Sequence, residues 1–242
     1  IHACREWYAT PTGQGSLLHV QNLVGTLVAD VFGYHALEIG ILAGQHSLLS
    51  ESRIAHQMAM SPLSGDTVSL HGHNEQLPFA AGNLDLVVAS HVLDCSPQPH
   101  QVLRELERVL VPEGHCILIG FDPISFKGMA QLRHWFKAEQ SACHFYPTFR
   151  VHDWLSLLGF EVLATRSIGF CPVVEKIRWL KRFGSRIHPL LGNLYLVHAK
   201  KKVSTRTPLL TTRRVQAVLR PGMAVNSGAG CVAFEEVRHG KS

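Results

Sequence analysis

His91 is the side chain that the sequence places best for acid–base chemistry. It follows Leu84-Asp85-Leu86-Val87-Val88-Ala89-Ser90, a nearly continuous apolar run that predicts a strand buried on both faces. Ser90 and His91 then fall at the C-terminal edge of a sheet, where open α/β folds bind ligands. An imidazole there can act as a general base, or it can line a pocket or cap a turn. The other reactive residue types give less. Six cysteines are scattered without a Cys-x-x-Cys pair, which argues against a zinc ribbon and a dithiol redox motif. Several lie in apolar strings, as buried thiols do, so a reducing, cytoplasmic compartment is expected. The 16 histidines show no metal-ligand spacing. His71 and His73 share one face of a strand end, but no carboxylate or thiolate lies near them, and no metal site is expected.

The elements that position Ser90 and His91 follow from periodicity. Leu17, Leu18, Leu23, Val24, Leu27, Val28 and Val31 recur at three- and four-residue spacing and predict a helix over 15–32, stopped by Gly33. Ala36 to Ile39 is a short strand running into Gly40, with a short helix from about Gln45. Residues 54–60 and 67–70 are strand candidates. Ser96-Pro97 opens a helix with serine as cap. Val102, Leu103, Leu106, Val109 and Leu110 form its stripe, and Pro112-Glu113-Gly114 ends it. Strands follow over 115–121, 160–165 and 194–199, with helices ending near 158 and spanning 173–183. Strands alternating with helices predict an α/β sandwich with a mostly parallel sheet.

The chain has 242 residues, 46% hydrophobic and 17% charged, which suits one globular core. No apolar run approaches the roughly 20 residues that span a bilayer, and residues 1–7 are too polar for a signal peptide. The charge is lopsided. Twelve of the 23 Lys and Arg fall between Lys176 and Arg220 without one acidic residue, so 11 basic residues face 18 acidic ones elsewhere. After about Val203, Thr, Arg, Pro, Gly, Ser and Ala dominate. The expected organisation is one domain over 1–202, including the helix 15–32, and a disordered tail over 203–242.

One stretch resembles a known family. Leu77-Pro78-Phe79, then Leu84 to Asp94, then Leu103-Arg104-Glu105-Leu106-Glu107-Arg108-Val109-Leu110-Val111-Pro112-Glu113-Gly114 is similar to class I, S-adenosylmethionine-dependent methyltransferases of the type 11 group. Gly120-Phe121-Asp122-Pro123-Ile124-Ser125, with Trp7, Pro11, Gly13 and Tyr195-Leu196-Val197-His198-Ala199-Lys200, resembles a bacterial subgroup with a GFxPxS motif. The resemblance covers roughly residues 5–202. It implies a Rossmann-like sandwich whose sheet has seven strands, mostly parallel, the last antiparallel.

The resemblance also implies S-adenosyl-L-methionine as cofactor. The family's acid and glycine loop correspond to Glu38, Gly40, Ala43 and Gly44, with Leu42 at the middle glycine's place, its side chain in the methionine groove or the loop bent elsewhere. Glycines let the backbone approach a ligand closely, and the same residues also suit a plain tight turn. The acid that binds the ribose falls at Ala59 or Met60. Neither accepts hydrogen bonds through its side chain, although Met60 can lie against the adenine or in the core. His73 stands where an aspartate binds the adenine amino group. Asn74 offers its backbone amide to the ring, Glu75 caps or faces solvent, and Ser90 and His91 border the site. Asp85 and Asp122 are structural. Trp7, Tyr8, Trp135, Phe136, Phe145 and Tyr146 line an acceptor pocket or pack in the core.

Three functions are open on the sequence. The first is a methyltransferase acting on a small molecule. The second is a methyltransferase-like interaction module, suggested by Leu42, by Ala59 or Met60, and by His73. The third is a nucleic-acid-directed protein using the basic segment 176–220, where no dense aromatic stacking platform accompanies the charge.

Overall fold

The computed structural model describes residues 2–61, 69–123, 144–168 and 193–202. The expected helix 173–183 and tail 203–242 lie outside them. Seven strands form one sheet: β1 His35–Gly40, β2 His56–Ser61, β3 Leu70–His71, β4 Leu84–Ser90, β5 Leu110–Phe121, β6 Phe160–Ile168 and β7 Leu194–Lys201, in the order β3-β2-β1-β4-β5-β7-β6. The pairs among β1 to β5 are parallel, and β7 runs antiparallel to both its neighbours. This is the expected mostly parallel sheet with an antiparallel last strand. The order reverses between β1 and β4, which creates the switch point where such sheets bind ligands.

Side-chain alternation along the buried strands feeds two cores. Ala36, Leu86, Val88, Ile117, Ile119, Leu194 and Leu196 pack on one face beneath α1 (His2–Ala9) and α2 (Pro11–Val28). Leu37, Ile39, Val87, Ala89, Cys116, Leu118 and Val197 pack on the other with α4 (Pro99–Val109) and α5 (Thr148–Leu157). A four-residue helix, α3 (Val92–Cys95), follows β4 directly. No helix among the described residues is long and apolar enough to cross a membrane.

Several boundaries differ from expectation. α2 begins at Pro11 rather than residue 15, because the Thr10 hydroxyl accepts the Gly13 amide at 3.1 Å and Pro11 opens the helix. It ends at Val28 with Ala29 as cap, so Gly33 does not stop it. A Cβ on Gly33 would overlap Asp85, whose Oδ2 accepts the amides of Tyr34 and His35 at 2.8 and 2.9 Å. Asp85 is thus structural, as expected, and fixes the entry to β1. α4 starts at Pro99, not at Ser96-Pro97. The Ser96 hydroxyl accepts the Gln98 amide at 3.0 Å and donates to Glu75 Oε1 at 2.5 Å. Glu75 therefore neither caps a helix nor points to solvent. Pro112-Glu113-Gly114 lies inside β5, where the register slips between the Leu84↔Leu110 and Leu86↔His115 pairs.

On the sheet, His115 Nδ1 and His198 Nε2 lie 2.8 Å apart, beside the Lys200–Glu113 ion pair at 2.6 Å. Burial, and then the neighbouring His115, hold His198 down to about 4; burial and then Lys200 lower His115, against Glu113. A depressed histidine binds fewer protons folded than unfolded, so this pair loses stability as the pH falls from 6.5 towards 4. Between pH 6.5 and 4.5, His198→Gln should lose about 2 kcal/mol less than the wild type in urea unfolding. Identical pH slopes for the two proteins would contradict the burial of this pair.

Candidate functional site

The site is built where β1 and β4 end side by side, with Gly40 and Ser90 as register partners. Gly40 has φ +106°, and a Cβ there would overlap the Ser90 carbonyl oxygen. The Ile41 amide donates to that oxygen at 3.2 Å. The Ser90 hydroxyl donates to Ile39 O at 3.0 Å and accepts the Leu42 amide at 3.1 Å. Ser90 thereby stitches the loop after β1 onto β4. Ile41, Leu42 and Ala43 are buried, and Ile41 and Leu42 belong to the core beneath α1 and α2. Leu42 therefore lies in the same core as Trp7 and Tyr8.

No α-helix joins β1 to β2, although one was expected from about Gln45. The Leu42 carbonyl accepts the amides of Gln45 and His46, both at 3.1 Å, and Gly44 then turns to φ +75°. The Leu48 amide donates to Glu38 Oε2 at 3.2 Å instead of to a helical carbonyl. A left-handed residue and a diverted donor leave turns where a helix would start.

Glu38 is 3% exposed, and its Oε1 has no hydrogen-bond partner among the described residues. Burial pushes its carboxyl up to about 8, and the Leu48 amide pulls weakly the other way. The side chain opens into a cleft of about 360 Å³ between the ends of β1 and β2, shared with Gly44, Gln45, Ser47, Ala59 and Ser69. Gln45 accepts from Arg5 Nε at 2.9 Å, which ties α1 to the rim. Ala59, the register partner of Glu38, occupies the cleft position on β2. Met60 does not: alternation turns it into the opposite core, fully buried and packed towards Gly72.

His91 is fully buried, with φ +55°, at the junction of β4 and α3. Its Nδ1 lies 2.8 Å from Asp94 Oδ2 and its Nε2 2.7 Å from the Tyr8 hydroxyl. Asp94 Oδ2 also accepts the Phe121 amide at 3.1 Å. Both imidazole nitrogens are committed, so His91 links α1 to the sheet edge rather than facing an open pocket. Burial, with Cys4 and Asp94 adding to it, holds Tyr8 well above the usual phenol range. Tyr8→Phe leaves the His91 nitrogen without its partner and should cost about 1–3 kcal/mol, read from urea unfolding. A loss below about 0.5 kcal/mol would mean that the pair contributes little.

The third-strand loop is also partly inward. His73 is exposed, and its carbonyl accepts the Gln76 amide at 3.1 Å. Asn74 is 8% exposed with Oδ1 unpartnered among the described residues. Leu77-Pro78-Phe79 is latched to α4: the Leu77 amide donates to Glu105 Oε2 at 3.0 Å, and Arg108 donates to the carbonyls of Phe79 and Leu77 at 2.9 and 3.1 Å. Arg108 also holds Glu105. The most specific sequence pattern thus builds an intramolecular latch.

A family model described as a methyltransferase domain matches residues 41–118. YafS of Escherichia coli K12, an uncharacterized protein, is 30% identical over 227 residues, covering 92% of this chain and 90% of YafS. The chain belongs to the class I methyltransferase family. Solved structures agree in fold. A protein from Haloferax volcanii, in complex with the Trm112 methyltransferase activator, superposes with a TM-score of 0.59 at 15% identity over 78% of this chain and 91% of its own. An S-adenosylmethionine-dependent methyltransferase of Thermotoga maritima gives 0.54 at 16% identity, over 82% and 94%. At such identities the likeness is one of fold.

Within this methyltransferase-family chain, the structure sorts the expected site residues. Glu38 and Gly44 meet at the cleft. Gly40 and Ser90 serve the β1–β4 junction, while Ala43 and Met60 are buried. Trp7 and Tyr8 pack in the core against Phe121 and His91, and Tyr146 meets Trp154 edge to face; Trp135 and Phe136 lie outside the described residues. Three participants were not anticipated: Tyr8 and Asp94 as partners of His91, and Ser69 on the cleft. Helical spacing of Cys4, Trp7 and Tyr8 ahead of Thr10-Pro11 was the available signal for α1.

Proposed function

We propose that the protein is an S-adenosylmethionine-dependent methyltransferase acting on a small molecule. The observation that carries this reading is Glu38: a buried carboxyl group on β1 with one oxygen unpartnered among the described residues, opening on a cleft between β1 and β2, beside the switch point of the sheet. A buried acceptor without a donor is costly, and a ligand with hydroxyl or ammonium groups relieves it. When bound, S-adenosylmethionine supplies an electrophilic methyl group on a sulfonium. Glu38 and the Gly44 turn would hold it from the chain's side. No base is assigned, since methyl transfer often needs only alignment of nucleophile and methyl group. Phe121, whose amide donates to Asp94, and Asp122, which accepts from the Thr148 hydroxyl at 3.3 Å, give part of the GFxPxS segment structural roles.

Calorimetric titration with S-adenosylmethionine and S-adenosylhomocysteine tests this reading. Binding in the micromolar range is expected. No heat at millimolar ligand, with circular dichroism showing folded protein, would overturn it. That result would favour the interaction-module reading, whose support is the burial of Leu42 and His91. A nucleic-acid role is weakened by the described part of the basic segment. Lys200, Lys201 and Lys202 pair with Glu113, Glu107 and Glu161 at 2.6, 2.9 and 3.1 Å.

A further inference from the structure

The cleft beside Glu38 is asymmetric. Its walls come from the loop after β1 and from Gln57, Met58, Ala59 and Ser69 on the β2–β3 side. On the β4 side of β1, Ser90 bonds Ile39 and Leu42, and Leu42 is buried in the core. Glu38 and Ala59 are register partners on neighbouring strands, about 4.8 Å apart in the backbone. Ala59 presents no acceptor to this volume, and Glu38 does. Its Oε2 is engaged by the Leu48 amide, and Oε1 is unpartnered among the described residues. An ionised carboxylate has about four lone-pair sites, enough to keep one amide and still accept from two adjacent hydroxyls.

We propose that Glu38 itself reads the ribose diol of the adenosyl ligand, from β1, because the neighbouring strand carries Ala59 instead of an acid. The inference rests on the cofactor reading above. It makes Glu38 the specificity-determining residue for the ribose and not for the amino-acid end of the ligand.

The full chain is titrated with S-adenosylhomocysteine, 5′-methylthioadenosine and 2′,3′-dideoxyadenosine, with adenosine as the reference for the last. The wild type is expected to bind adenosine about 10- to 100-fold more tightly than the dideoxy compound, since each lost bond to a charged acceptor is large. In Glu38→Gln that ratio should fall below about 3, with S-adenosylhomocysteine and methylthioadenosine weakened by similar factors. Ala59→Asp, at a half-buried position, gives a second route: it sets an acid on β2 beside Glu38, which supplies a further acceptor while raising the Glu38 carboxyl more. It should raise the wild-type ratio by about 3-fold or more. Equal binding of adenosine and dideoxyadenosine would overturn the proposal. So would a Glu38→Gln variant that loses S-adenosylhomocysteine but keeps methylthioadenosine, because the carboxylate would then serve the ammonium group. If no adenosyl ligand binds the folded wild type, the cofactor reading falls, and this inference with it.

Discussion

At pH 9, Glu38→Gln is expected to be more stable than the wild type by about 3–5 kcal/mol, whereas at pH 5 the two should agree within about 1 kcal/mol. The carboxyl is raised from 4.5 to about 8 in the folded protein, mainly by burial. A raised acid binds more protons folded than unfolded, so its contribution is intact below pH 4.5 and is lost as the pH rises towards 8. Glutamine keeps an oxygen for the Leu48 amide and cannot ionise, so the variant should lack that slope. Urea unfolding at pH 5, 7 and 9 measures it, and a wild type with no loss relative to the variant would show that Glu38 is not buried as described. A ligand that donates to Oε1 favours the ionised form. Binding of uncharged adenosyl ligands such as methylthioadenosine should therefore tighten as the pH rises to about 8, and release protons below it.

Gly40→Ala is expected to unfold the chain or to cost at least about 4 kcal/mol, the range reserved for a disrupted core. Two causes act together. The backbone sits at φ +106°, which L side chains rarely adopt, and the added carbon would overlap the Ser90 carbonyl oxygen. That oxygen accepts the Ile41 amide, so moving it breaks the β1–β4 junction. Gly44→Ala, at φ +75° on the cleft rim, should cost only about 1–2 kcal/mol. Circular dichroism and urea midpoints separate the two. A Gly40→Ala protein with a wild-type midpoint would refute the register of β1 against β4. It follows that a bulky substitution at Gly40 does not isolate cofactor binding, because it removes the scaffold as well.

The type of each strand was legible because burial writes itself into short-range pattern. Leu84 to Ser90 is continuous apolar sequence and lies in a strand flanked on both sides. The latch between Leu77-Pro78-Phe79 and Glu105-Arg108 appeared in the sequence as a motif, without its purpose. Boundaries were less legible where two signals compete. Ser96-Pro97 reads as a cap, but Glu75, from another part of the chain, claims the Ser96 hydroxyl.

The sequence by itself determined the fold class, the family and the acidic residue at the end of β1, since those depend on residue type and local spacing. Tertiary structure decided what each site residue does. Whether Ala59 or Met60 faces the cleft depends on strand phase relative to Glu38. Whether His91 is a base or a strut depends on Tyr8, 83 residues away. Whether Leu42 lines a groove or joins the core depends on the packing of distant elements around it. Burial and long-range pairing set a side chain's solvation and its partners, and these are properties of the packed chain, not of its local spacing.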